Sequence, residues 1–94
     1  MNREGNNRII EHYGIDHQSL KASEELSECI RAVVRCRMDQ SSLEALDNLV
    51  EEIADSIVMF DQLMQWYGIE WSQVEFLADK KIDRQLRRIE CQSD

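Results

Sequence analysis

The chain has no proline and only three glycines in 94 residues. Aromatic residues are also scarce, at 6%. Together these shortages argue against β-sandwiches, collagen-like chains and loop-rich scaffolds, which depend on turn residues. Cysteine is too sparse for a disulfide framework: the three thiols are odd in number and form no Cys-x-x-Cys pair. They read as reduced, which sets the expectation of a cytoplasmic protein. No apolar run approaches the ~20 residues that span a bilayer, and the opening MNREGNNRIIEHYG lacks the apolar stretch of a signal peptide, so no membrane partner is expected. Basic residues are in deficit too. Eleven bases against nineteen acids leave a net charge of −8, which excludes a whole-chain grip on a nucleic acid polymer, because phosphate backbones demand a basic face. An acidic chain of this kind binds phosphates only with cations in between.

What remains is ordinary for a helical protein: 43% hydrophobic and 32% charged residues. A chain this short has room for one core, so residues 1–94 are read as a single all-α domain. Gly14 and Gly68 stand where helix C-caps belong, since glycine accepts the left-handed turn. Asp16 is a candidate N-cap, and Ser41 with Glu44 and Ser72 with Glu75 have capping-box spacing. The punctuation predicts four helices, at about 3–13, 17–38, 42–67 and 73–90. In the third, Leu43, Leu46, Val50, Ile53, Ile57, Phe60 and Met64 recur at alternating spacings of three and four, the seam of a helix bundle. Its Ile57-Val58-Met59-Phe60 run is apolar all round. A helix of about 39 Å is long for a compact monomer, whose radius of gyration would be about 12 Å. The expectation is a four-helix bundle-like protomer that assembles as a dimer or tetramer. Val58→Asp or Met59→Asp should disrupt assembly, and Asp61→Ala should not.

The second and third predicted helices carry acidic clusters. Glu25 and Glu28 lie about 60° apart on one helix, and Glu52 and Asp55 about 60° apart on the next. If these helices pack antiparallel through a short turn, the four carboxylates face one another across the groove. Like charges at such spacings repel, and a cation among them removes the penalty. Oxygen-only donors suit Mg²⁺ or Mn²⁺. A di-iron bundle would instead use Glu-x-x-His, and neither His12 nor His17 follows a Glu at that spacing. The competing explanation is a solvated acidic face.

Glu24-Glu25-Leu26-Ser27-Glu28, a gap over residues 29–51, then Glu52-Ile53-Ala54-Asp55 resembles the two-part acidic signature of the MazG-like, all-α nucleoside triphosphate pyrophosphohydrolases. The likeness runs from about Tyr13 to Ile89 and includes the helix order. It implies Mg²⁺-dependent hydrolysis of a nucleoside triphosphate to the monophosphate and pyrophosphate, by homodimers or homotetramers. It also implies Glu25, Glu28, Glu52 and Asp55 as metal ligands, with Glu24 nearby as an orienting or water-activating group. Which carboxylate acts as base is left open.

The last predicted helix packs five of the eleven bases into nine positions, with Lys81, Arg84 and Arg88 on one face. Family members similarly carry bases here, which makes Lys81 and Arg84 candidates for phosphate contacts. Asp79, Asp83 and Glu90 are interleaved, so a surface ion-pair stripe is the alternative. His12, Tyr13 and His17 flank the first turn, where a base pocket has room to form. Gln18 and Lys21 precede the acidic cluster, and Lys21 has an i,i+4 partner in Glu25. Trp66 and Trp71 bracket Gly68 and are expected to pack the turn, while Cys29 and Cys36 read as small core residues.

The expected function is therefore Mg²⁺-dependent pyrophosphate release from a nucleoside or deoxynucleoside triphosphate, with Mn²⁺ as a possible substitute, in clearing unwanted nucleotides. The rivals are a phosphoribosyl-ATP-type pyrophosphohydrolase and a non-catalytic helical dimer acting as an interaction module.

Overall fold

Asn2 begins the first helix by accepting the Gly5 amide on its side-chain oxygen at 2.8 Å, which satisfies one of the orphan donors of the first turn. The computed structural model describes residues 1–92, and these form three helices and no strand. Helix α1 (Arg3–Met38) is broken at Gly14, whose φ of 82° and ψ of 165° are not helical. It thus contains the two helices expected at 3–13 and 17–38, joined by a kink rather than a capped turn. Asp16 lies inside the helical run and caps nothing.

Helix α2 (Leu43–Tyr67) starts one residue away from the expected cap. Ser42 takes the Ala45 amide at 3.0 Å, while the Ser41 hydroxyl faces Asp39. The helix ends as expected at Gly68, in the left-handed region (φ 69°), where its amide reaches the Met64 and Gln65 carbonyls. Helix α3 (Trp71–Gln92) begins two residues early. The Gln73 side-chain oxygen accepts the Glu70 amide at 2.8 Å, so the reciprocal side chain comes from Gln73 and the Ser72–Glu75 pair is already inside the helix.

Helices α1 and α2 form an antiparallel hairpin. Cys36 donates to the Ala45 carbonyl beside the turn, Glu25 meets Asp55 halfway along, and Gln18 meets Gln62 further on. The hairpin interior is built from Ile10, Ala22, Ala32, Ala45, Ser56, Met59 and Met64. Small residues at four of these positions let the helix axes approach closely. Cys29 and Cys36, expected as small core residues, are only half-buried and lie at the margin of the core, and Cys91 is exposed.

The regular apolar stripe of α2 does not fill this interior. Of its seven members only Met64 is buried, and Leu43, Leu46, Val50, Ile53, Ile57 and Phe60 remain between 40% and 77% exposed. The inward stripe is the neighbouring one, through Ala45, Glu52, Ser56 and Met59, offset by one residue or about 100° round the helix. Within Ile57–Phe60, accordingly, Met59 is buried against α1 and Val58 is half-buried, leaving Ile57 and Phe60 outward. Helix α3 projects from the hairpin with no buried residue. The radius of gyration is 16.6 Å and the extents are 55 × 34 × 22 Å, well above the value for a compact chain. No described helix is long and apolar enough to cross a membrane.

Candidate metal centre

The hairpin register brings acidic residues from both helices to one place. Glu25 of α1 and Glu52 and Asp55 of α2 each offer one carboxylate oxygen, and the three oxygens lie within 4.8 Å of one another. The spacing of three on α2 sets Glu52 and Asp55 on adjacent sides of the groove, and the antiparallel register supplies Glu25 opposite. Burial raises the proton affinity of Glu52 first, and the charges of Glu28, Asp55 and Glu25 raise it further. Asp55 is likewise pushed up by burial and then by Glu25. One oxygen of Glu52, Oε2, is buried without any hydrogen-bond partner. A buried anionic oxygen left unpaired is costly, and a divalent cation is the kind of group that relieves it. The donor set fits: all oxygen, hard and anionic, suited to Mg²⁺, Mn²⁺ or Ca²⁺ without distinguishing among them.

Other expected residues fall around this cluster unequally. Glu28 is not part of the three-oxygen group, although it is near enough for its charge to act on Glu52. Glu24 is exposed and lines an adjoining cleft. Lys21 pairs with Glu25 at 3.2 Å, and that hydrogen bond holds its ammonium proton more firmly than usual. Lys81 and Arg84 sit on α3 and are not among the residues that line the cleft.

The cleft has a volume of about 600 Å³. Tyr13, His17, Gln18 and Lys21 form its α1 wall, Asp55, Val58, Met59 and Gln62 its α2 wall. The rings of Tyr13 and His17 are stacked, with centroids 4.8 Å apart, and His12 meets Tyr13 edge-on. The α1 wall thus carries the aromatic rings, and each wall contributes one buried amide, Gln18 from α1 and Gln62 from α2.

Behind the cleft runs a polar core that the sequence reading did not foresee. Asp61 is fully buried and accepts from the Arg3 guanidinium and the Trp71 indole on Oδ1, and from Asn6 and Gln65 on Oδ2. Burial alone would raise its pKa, but the hydrogen bonds from Trp71, Asn6, Gln65 and Arg3 outweigh it and hold the carboxyl at about 2. Asn6 accepts in turn from Gln62 at 3.1 Å, Gln62 from Gln18 at 2.8 Å, and Gln18 lies 2.6 Å from His17 Nδ1. Helical spacing gave no signal for it: Asp61 lies five residues, about 140° round the helix, from Ser56 on the inward stripe, and it is buried by Arg3, Asn6, Gln65 and Trp71. Trp71 joins this network, whereas Trp66 is 46% exposed, so only one of the two tryptophans closes the turn.

No protein-family model, curated protein or solved structure matches the chain.

Proposed function

We propose that the chain is a divalent-metal-dependent nucleoside triphosphate pyrophosphohydrolase, which yields the monophosphate and pyrophosphate. The observation that carries this reading is the convergence of Glu25, Glu52 and Asp55, with the unpartnered Glu52 Oε2, at one end of a cleft walled by stacked aromatic rings and amides. The choice of the α–β phosphate bond rests on the resemblance of the paired acidic motifs to the MazG-like enzymes. Glu25, Glu52 and Asp55 hold the cation, and Glu28 adds negative charge behind them. A bound Mg²⁺ or Mn²⁺ supplies charge for the phosphate oxygens and acidifies water. Without it, a chain of net charge −8 repels a triphosphate. Lys21 offers an ammonium at the cleft wall beside the carboxylates. Glu24, exposed at the cleft, takes a proton from water in this reading.

The protomer leaves work for a second copy. The outward stripe of α2 joins Leu26, Ile30 and Val33 of α1 in a groove lined by apolar side chains, with Ile53, Ile57 and Phe60 on its other wall. Exposed apolar surface of this extent, continuous across two helices, marks an association face, and an isologous homodimer covers the same patch on both chains at once. Lys81 and Arg84 then meet phosphate only if α3 of a neighbouring copy crosses the cleft. The non-catalytic alternative accounts for the groove but leaves the converged carboxylates without a purpose.

The test is product identification by chromatography after incubation with each common nucleoside and deoxynucleoside triphosphate, with Mg²⁺ and with a chelator. Monophosphate and pyrophosphate, made only with metal, are expected. Diphosphate and orthophosphate as primary products, or no turnover of any triphosphate, overturn the reading.

A further inference from the structure

The buried amide chain between Asp61 and His17 has only one consistent direction. It passes through Asn6, Gln62 and Gln18, and none of these four buried residues is more than 5% exposed. An ionised carboxylate only accepts hydrogen bonds. Asn6 must therefore present its NH₂ to Asp61 Oδ2, at 2.8 Å, which leaves its carbonyl oxygen facing Gln62. Gln62 must answer with its NH₂, leaving its own oxygen for Gln18, and Gln18 must do the same. The chain ends on Gln18 Oε1, 2.6 Å from His17 Nδ1. An amide oxygen cannot donate, so the proton in that contact belongs to the imidazole. Reversing any single amide sets oxygen against oxygen or NH₂ against NH₂ in a place that water does not reach, and leaves buried groups unsatisfied.

We propose that Asp61 is a positioning residue, acting through Asn6, Gln62 and Gln18 to hold His17 as its Nδ1–H tautomer, so that a neutral Nε2 acceptor is presented at the cleft beside the carboxylates. Free neutral imidazole prefers the other tautomer, with the proton on Nε2, so the fold reverses an intrinsic preference. The tautomer of a histidine is set by the bond its other nitrogen makes, and here that bond is dictated from a carboxylate 44 positions away in sequence. Nε2 of His17 has no protein partner among the described residues, and the ring is kept in place by its stack on Tyr13. An acceptor so placed takes an N–H or O–H donor from whatever occupies the cleft. The network is complete in the protein alone and needs no metal ion.

The experiment is long-range ¹H–¹⁵N correlation of the imidazole nitrogens in uniformly labelled, metal-free protein at about pH 8.5, roughly two units above the ordinary imidazole pKa. A His12→Gln background leaves His17 as the one imidazole in the spectrum. In the otherwise unchanged chain, Nδ1 should resonate as the protonated nitrogen and Nε2 as the bare one, with the Nδ1–H form favoured by roughly tenfold or more. Asp61→Asn removes the fixed end, since an amide at position 61 permits the whole chain to turn over, and His17 should move towards Nε2–H. Gln18→Met cuts the chain at its last link while leaving the Asp61 cluster whole, and should have the same effect even if Asp61→Asn does not fold. A Nε2–H tautomer in the starting protein, or an unaltered Nδ1–H tautomer in either folded variant, overturns the proposal.

Discussion

The indole Nε1–H of Trp71 donates to Asp61 Oδ1 at 2.8 Å, joining the first residue of α3 to the interior of α2. The remainder of α3 is exposed, so this bond fixes where the third helix leaves the hairpin. Trp71→Phe keeps the ring and removes the donor. A hydrogen bond to a charged group contributes about 1.5–3 kcal/mol, and a loss in that range is expected in urea unfolding. Amide exchange in α3 should accelerate more than in the middle of α2. Equal acceleration in both helices would show that the bond does not anchor α3 specifically.

Asp61→Ala should be far more damaging. It strips the acceptor from Arg3, Asn6, Gln65 and Trp71 together, and breaking a buried charged network by removing one partner costs about 3–5 kcal/mol. The helical pattern gave no reason to expect this. Asp61 follows an apolar run, where a polar residue ordinarily marks the solvent side. Assembly tests that use Asp61→Ala as a neutral control will therefore be confounded by lost stability, and thermal melting will show it.

Stability should respond to pH with two opposite slopes in metal-free protein. Asp61 has a folded pKa of about 2, below its usual 3.8, so its contribution is present above 3.8 and lost as pH falls towards 2. Glu52 and Asp55 have folded values raised above 4.5 and 3.8. For these the folded state binds more protons than the unfolded chain, so stability declines as pH rises from about 4 through the raised values. Melting curves across pH 2 to 7 should peak near the ordinary carboxylate range. Glu52→Gln with Asp55→Asn should flatten the upper limb only. A profile that climbs steadily up to neutral pH would contradict the raised values.

Assembly should depend on Ile57 and Phe60, the outward members of their apolar run. Ile57→Asp or Phe60→Asp places a charge in the groove shared with Ile30 and Val33 and should yield a folded monomer by light scattering. Met59→Asp acts differently, since Met59 is buried against α1, and it should unfold the protomer. A wild-type chain that stays monomeric at micromolar concentration would refute the dimer.

Helix positions were legible because Gly14 and Gly68 punctuate the chain and apolar periodicity fills the intervals. Cap residues slipped by one or two positions because serines are plentiful near each start, and Ser41 and Ser42 are adjacent. The acidic cluster was legible because a spacing of three on each helix, plus a short turn, nearly forces Glu25 to face Asp55. What was not legible was which stripe of α2 faces inward. Periodicity favours the large residues from Leu43 to Met64, but the close approach of α1 selects the smaller stripe through Ala45 and Ser56. Asp61 and Gln62 are instead enclosed by Arg3, Asn6, Gln18 and Trp71, and no pairwise spacing rule links them to Asn6 or Gln18, more than 40 residues away.

Metal and turnover should separate the carboxylates from one another. Millimolar Mn²⁺ should raise the melting temperature, since a ligand bound only by the folded state stabilises it by mass action, and it should abolish the decline in stability at higher pH. Glu52→Gln removes a crowded charge whose Oε2 has no protein partner, so this variant should be at least as stable as wild type without metal and gain nothing from Mn²⁺. Its turnover should fall by roughly two orders of magnitude or more if the carboxylate contributes ~3 kcal/mol to the transition state. Glu28 stands outside the three-oxygen cluster yet acts on Glu52 through its charge. Glu28→Gln should therefore weaken Mn²⁺ stabilisation less than Glu52→Gln does in the free protein. If Glu28 becomes a direct ligand when substrate and metal bind together, its loss will appear in turnover and not in the melting shift. Calorimetry with Mn²⁺ alone, set beside turnover for both variants, distinguishes these cases. Undiminished Mn²⁺ binding by Glu52→Gln would remove Glu52 from the metal site altogether.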